Sequence, residues 1–314
     1  MAKQLIYRPR VSNKKIREQI KFYYTEKFFN KWMNKYTFHG LNYQQSHYFM
    51  KKMWSQGTIA VSDVKTADKN LAGLIDAKII DMKESSIILT PWIFSNRYNI
   101  YDFPTHIRLV NTRGVKFITT KELELDKEAV IIWAQKNHKS VFSSIEAKLN
   151  ELVDIEMKKR VARKSQSQPW MFLFSPEDYE QAKILEEQLE NDSPYMYVPV
   201  NDANSFKGVS SGAPYVVDKF EQDRQKVEND ILTMLGCNNV GVSEKKEHLT
   251  VNEVDANNQD IQEQEQVYQD EIREGWERAN KVLECNIDVE DNSPVMEEYV
   301  EDKEEDNEDE QDLS

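Results

Sequence analysis

Paired acids are the residues most suggestive of catalysis in this chain. Asp218 with Asp223, and Glu228 with Asp230, are pairs of the kind that hold Mg²⁺. They share their segment with Lys219 and Lys226, however, and salt-bridge decoration of a solvated helix face accounts for them better. A nucleotide cradle needs glycines followed by Lys and Ser or Thr. The nearest cluster, KGVSSGAP from Lys207 to Pro214, lacks that ending and reads as a flexible joint. The five histidines (His39, His47, His106, His138, His248) show neither HExxH nor HxH spacing. Cys237 and Cys285 form no CxxC motif, which argues against zinc or a disulfide framework and for a reducing compartment. No Ser-His-Asp or Cys-His set emerges. The reading therefore assigns no catalytic residue, no metal and no cofactor.

What remains is charge, and it is unevenly placed. Residues 290–314 carry thirteen acids and one lysine, so −12 of the total −14 lies there and the rest of the chain sums to −2. Residues 1–35 hold ten Lys or Arg against Glu18 and Glu26, a net of +8. Arg8, Arg10, Lys14, Lys15 and Arg17 are thus a candidate polyanion contact, with a disordered basic arm that aids assembly as the plainer account. No apolar run approaches bilayer length and no secretory h-region opens the chain, so no membrane partner is expected.

The elements that must position these charges follow from periodicity. A basic amphipathic helix is expected over 13–36 and a second over 43–55, stopped by Gly57. From 58 to 120 the period drops towards two (IAVSDV, KIIDM, SSIILTPWIF, HIRLV, VKFITT), which predicts a small antiparallel β unit. No glycine or proline occurs between Gly114 and Pro169, and Ile131, Val141, Phe142, Ile145, Leu149 and Leu152 recur at helical spacing. One continuous helix over 126–163 would run about 57 Å, against a radius of gyration of about 20 Å for a compact chain this long. Such a helix is either a coiled coil or one stave of an elongated assembly, packed against copies of itself. A short α/β excursion follows, with PWMFLF and PYMYVPV as strands around a helix at 176–190. Then Val217, Phe220, Val227, Ile231 and Leu235 make an apolar stripe over 214–235, with Lys219, Asp223, Lys226 and Asp230 on the other face and Gly236 as a left-handed cap. A polar loop leads to a last helix over 259–283, whose clearest apolar positions are Val267, Ile272, Trp276 and Val282.

The string APYVVDK, then a helix ending in MLG, then EKKE and NEV, resembles the portal protein (upper collar, or head–tail connector) of phi-29-like small podoviruses. The resemblance is densest over 207–256 and consistent in order and length over roughly 10–285. It implies an α+β, elongated portal subunit with three long stem helices, a small β-rich, SH3-like wing, an α/β clip and a C-terminal crown helix. Twelve subunits form a ring around a channel for double-stranded DNA. On that plan 1–12 is a basic arm, 13–57 a stem helix and wing helix, and 58–125 the wing. Residues 126–163 are the long stem helix, 164–210 the clip, 211–235 a stem helix, 236–258 a channel loop, 259–288 the crown, and 289–314 a disordered acidic tail.

The resemblance also implies that Lys207 and Lys219 form two rings of lysine in the channel and that Lys245 and Lys246 of EKKE lie on channel loops. The basic N-terminus would lie outside the channel near the packaging machinery. Expected partners are further copies of the chain as a homododecamer and double-stranded DNA without sequence specificity. Others are major capsid and scaffold proteins, a separate packaging ATPase (with a packaging RNA in some members) and lower collar or tail proteins. The subunit would be assembled in the host cytoplasm and reside in the virion at the capsid portal vertex. The acidic tail departs from the family pattern. Two rival readings stay open: a nucleic-acid-binding regulator with a basic arm and an autoinhibitory acidic tail, and a metal-dependent nuclease using the 214–235 carboxylates.

Overall fold

The computed structural model describes residues 13–64, 87–110, 122–167, 170–173, 207–210, 214–239 and 251–292. Helix α1, Asn13–Met33, buries Tyr24, Phe28 and Trp32, one residue per turn on a single stripe. Burying a side chain the size of Phe28 contributes roughly 2 kcal/mol. Trp32 also donates its indole N–H to the carbonyl of Met50 at 3.1 Å, so its one polar atom is satisfied inside the core.

The helix does not reach Tyr36. Tyr36–His39 is strand β1, with Tyr36 and Phe38 inward and Thr37 and His39 outward. Its partner comes from the far end of the chain: strand β10, Asp288–Asp291, lies antiparallel with Phe38 opposite Val289. The expectation that the solvated tail begins at 289 is corrected here. Ile287 and Val289 are buried at a spacing of two, and that alternation pulls three residues of an acidic stretch into the sheet.

Helix α2, Tyr43–Ser55, follows the sequence reading. A capping box opens it: the Asn42 side chain accepts from the Gln45 N–H, and the Gln45 side chain accepts from the Asn42 N–H. Gly57 closes it at φ +73°, where a Cβ would collide with Lys139 backbone. The β unit begins with β2, Thr58–Asp63, flanked antiparallel by β3, Ile87–Thr90, and by β7, Ala129–Trp133. A second sheet joins β4, Trp92–Phe94, to β5, His106–Leu109, and β6, Leu123–Glu124. Alternate residues of β2 serve two cores: Ile59 and Val61 face the main core, and Ala60 faces a smaller one with Ile107, Leu109 and Leu123. The runs KIIDM and VKFITT lie outside the described residues.

Strand β7 overturns the continuous helix expected from 126. Val130, Ile131 and Ile132 are β-branched and buried, and they pair with Val61, Ala60 and Ile59. The turns on either side use Asp126 and His138 at φ +60°, so residues other than glycine take the left-handed conformation. Helix α3 begins only at Val141 and runs to Ser167, 27 residues or about 40 Å. Its buried Val141, Ile145, Leu149 and Leu152 are the stripe that the sequence indicated.

Strands β8, Trp170–Leu173, and β9, Lys207–Ser210, pair antiparallel. The glycine cluster read as a joint is therefore strand at its start. The helix at 176–190 and the strand PYMYVPV lie outside the described residues. Helix α4, Val217–Met234, buries Val217, Val227 and Ile231 and ends at Gly236, φ +60°. Backbone bonds from Gly236 N–H to Thr233 and from Cys237 N–H to Leu232 close the last turn, as the expected glycine cap requires.

Helix α5, Val251–Leu283, starts before the expected 259 and shortens the polar loop accordingly. Once its C-terminal half is packed, propagation extends through Asn and Asp residues that would not nucleate a helix. Its core positions are Ile261, Tyr268, Ile272, Trp276 and Ala279; Val267, expected inside, is 40% exposed and Tyr268 takes its place. Gly275 lets α5 lie directly on β7, since a Cβ there would sit 2.7 Å from Ile132.

Lys35 ties these ends together. Its side chain is buried, and its ammonium donates to the carbonyls of Leu235 at 3.1 Å and Gly236 at 2.5 Å, with Glu265 of α5 at 3.8 Å. One cation thereby caps α4 and holds α1 and α5 to it. Lys35→Met keeps the methylenes and leaves the acceptors without their charge. We predict a loss of about 3 kcal/mol of unfolding free energy in urea titration; an unchanged midpoint would show the ammonium to be incidental.

Candidate nucleic-acid interface

Lys219 lies in the first turn of α4 and is exposed. Asp223 and Lys226 follow on the same face and are also exposed, while Val217, Val227 and Ile231 face inward. The helix thus presents alternating charge outward and spends its apolar side on the subunit. Asp218 accepts a hydrogen bond from the Tyr215 hydroxyl at 3.0 Å, which raises that phenol's pKa. Lys207 opens β9 opposite Leu173, on a different element from Lys219. Lys14, Lys15 and Arg17 are exposed on the first turns of α1, and Arg17 pairs with Asp154 of α3. Arg8, Arg10, Lys245 and Lys246 lie outside the described residues.

The structure does not gather these lysines into one cluster. It holds the helices that carry them in a fixed register, by a network that sequence reasoning missed. Between Phe220 and Val227 the stripe of α4 has no apolar residue, and Arg224 occupies the core-facing position. Its guanidinium donates to Glu221 at 2.9 Å and to Glu228 at 2.6 Å, and lies 3.8 Å from Glu156 of α3. Lys159 of α3, 8% exposed, pairs with Glu221 and with Glu156. From α1, Tyr24 donates its hydroxyl to Glu156 at 2.9 Å and Lys27 pairs with Glu228 at 3.1 Å. Further along, Lys148 donates to Asp230 at 2.9 Å. The signal for this was present: Glu221, Arg224 and Glu228 stand at i, i+3 and i+7 on the side of α4 that should have been apolar.

These contacts set the titration of the network. Hydrogen bonds from Arg224 and then Lys159 hold the Glu221 carboxyl down at about 2, from an ordinary 4.5. Burial, reinforced by the hydrogen bond to Glu156, pushes the Tyr24 phenol well above its usual range. The hydrogen bond from Arg224 to Glu221 raises the guanidinium further. Glu228 and Asp230 are committed to cations, which leaves the nuclease reading Asp218 and Asp223, and Asp218 already accepts from the Tyr215 hydroxyl. Among the described residues no group of three His, Cys, Asp or Glu side chains could hold a metal ion.

Because the folded state holds Glu221 ionised, its contribution is complete above about pH 4.5 and is lost as pH falls towards 2. The melting temperatures of the native chain and Glu221→Gln should differ most near neutrality and converge in acid. A gap that is constant or widens on acidification would contradict the network.

Solved structures of phage portals align with this chain over most of its length. A chain in the portal and tail of native bacteriophage P68 aligns with TM-score 0.46 and 13% identity, over 93% of this chain and 94% of that one. A HK97 family phage portal protein from Corynebacterium diphtheriae aligns with TM-score 0.44 and 8% identity, over 81% and 79%. Among the described residues no helix is long and apolar enough to cross a membrane. The family model described as Phage Connector (GP10) matches residues 9–296, nearly the whole chain, and the chain therefore belongs to the phage connector family, as a head–tail connector or portal protein.

Proposed function

We propose that this connector is of the phi-29-like podovirus type. Twelve copies close into a ring whose staves are α1, α3 and α4, with α5 as the crown, and double-stranded DNA passes through it during packaging and ejection. The ring sits at the capsid portal vertex of the virion after assembly in the host cytoplasm. It contacts capsid and scaffold proteins, tail components and a separate packaging ATPase, the chain itself serving as conduit. The observation that carries this reading is the outward face of α4, where Lys219, Asp223 and Lys226 alternate in sign on a helix whose apolar side is already used.

A conduit must surround a polyanion without holding it. Duplex DNA carries one charge per about 1.7 Å, so a continuously basic wall would arrest it. Sparse lysines set among acids give each phosphate a contact worth about 1 kcal/mol or less at a wet surface. Repetition around the ring smooths the path, and base readout has no part in it. Lys207 and Lys219 supply two such rings. Lys245 and Lys246, which lie between α4 and α5 in the chain, supply contacts that brush the duplex. No observation favours the regulator reading.

Lys245→Ala combined with Lys246→Ala tests the assignment. Light scattering should show the native ring mass unchanged, while DNA retention in a packaging assay falls several-fold. If the double variant cannot form the ring, those lysines are structural and the assignment fails.

A further inference from the structure

Six large apolar side chains are left in water by the hairpin that joins β4 to β5. Ile93, Phe94, Tyr98 and Phe103 are each about half exposed, and at the tip Ile100 and Tyr101 are 88% and 73% exposed. The hairpin that shows them is well tied. The Asn99 side chain accepts from the N–H groups of Tyr101 at 2.9 Å and Phe103 at 3.1 Å, and the Asn99 N–H donates to the Phe103 carbonyl at 2.9 Å. Below the tip, Tyr98 bridges to Pro104 and the Thr105 N–H donates to the Arg97 carbonyl. The backbone is therefore ordered before any partner arrives, and docking carries little further ordering cost. The border of the hairpin is basic. Arg97 and Arg108 share one carboxylate, Glu122, at 3.4 and 2.6 Å. Asp102 at the tip is outweighed by exposed Lys136 and Lys139 of the neighbouring turn, whose His138 ring lies 5.8 Å from that of Phe103.

A second apolar surface has the opposite border. On α1 the inward stripe is Tyr24, Phe28 and Trp32, yet Phe22 and Tyr23 face outward and are 67% and 62% exposed. Glu18 and Glu26 stand one turn to either side of Phe22 on the same face. Both are exposed, and neither forms an ion pair among the described residues. Within one subunit no hydrogen bond, ion pair or ring contact among the described residues joins this face to the hairpin. A closed ring of identical chains needs such a pair, two different and complementary patches on every copy. We propose that the β4–β5 hairpin of one subunit docks on the Glu18–Glu26 face of α1 in the next; this rests on the ring reading above. The areas agree. Large aromatic side chains bury about 150–250 Å² each, so the exposed part of the hairpin's six is on the order of 600 Å². A standard interface takes about 800 Å² from each partner, a little over half of it apolar. Two hairpins meeting each other would bury the same rings but set like charges together and stop at a dimer.

The test uses the full chain carrying Phe22→Cys and Tyr101→Cys together, treated with a short bismaleimide. A hairpin seated on the next subunit's α1 gives a ladder of covalent multimers on a denaturing gel, extending to the whole ring. The native chain, whose own thiols at Cys237 and Cys285 are half-buried, and each single variant give no ladder. Dimers from Tyr101→Cys alone would mean that hairpin meets hairpin, and an intact ring without a ladder would mean that the two faces lie apart. Either result overturns the proposal. Sedimentation against concentration gives a second measure, with Ile100→Ser plus Tyr101→Ser in one variant and Glu18→Lys plus Glu26→Lys in another. Each should raise the concentration at which the ring falls apart by at least about tenfold, with the melting of the subunit little changed. Unchanged ring stability in both also overturns the proposal and points the hairpin to a capsid or tail protein instead. A native chain that stays monomeric sinks the ring reading and this contact together, whereas a native ring without the ladder removes only the contact.

Discussion

The register of three helices depends on a half-buried patch of charge set where an apolar seam would be expected. Helix α4 is apolar at Val217 and again from Val227 to Leu235, but between Phe220 and Val227 its inward side is Arg224, flanked by Glu221 and Glu228. Glu156 and Lys159 of α3, with Tyr24 and Lys27 of α1, complete the set. Such a network adds little net stability, because removing ions from water costs nearly as much as their attraction returns. Its energetic weight lies elsewhere. Sliding α3 against α4 by one turn would leave buried Lys159 and half-buried Arg224 without their carboxylates, an outcome more costly than shifting one leucine past another. A greasy seam permits slippage; this one specifies a single alignment, and with it the direction in which Lys219, Asp223 and Lys226 point.

The opposite end of the layer is secured by different means. There the core is aromatic, with Trp32 against Tyr268 and Phe38 and Phe49 against Trp276. Lys35 caps α4 from within, and β10 stitches the end of the α5 region to the strand that follows α1. Gly236, where the chain leaves α4, is therefore fixed against α1, α4 and α5 at once.

Much of this was legible in advance. Gly57 and Gly236 marked helix ends, and the stripe from Val217 to Leu235 was read residue by residue. The family was legible too, through the string around APYVVDK. The failures share a physical cause: punctuation came from residues not normally trusted to punctuate. Asp126 and His138 turn the chain where glycine was awaited, so β7 was absorbed into a helix. Strands β1 and β10 alternate over only four residues each and sit beside a helix and an acidic tail that dominated the pattern. Tyr268 displaced Val267 from the core because a phenol can bury its ring and still donate its hydroxyl, here to the Met234 carbonyl at 3.1 Å. The charged seam escaped because pairing partners on α1, α3 and α4 are far apart in sequence and meet only in the fold.

The central claim is that the charged seam turns the alternating Lys/Asp face of α4 towards the axis of an assembled ring. A side-chain-resolution reconstruction of the particle formed by the purified chain measures this directly. The account predicts a hollow ring in which Lys219, Asp223 and Lys226 line the lumen while Arg224 remains bound to Glu221 and Glu228 against α3. A particle in which that face of α4 is sealed against a neighbour or turned to the outside, or in which α3 and α4 separate, would contradict it.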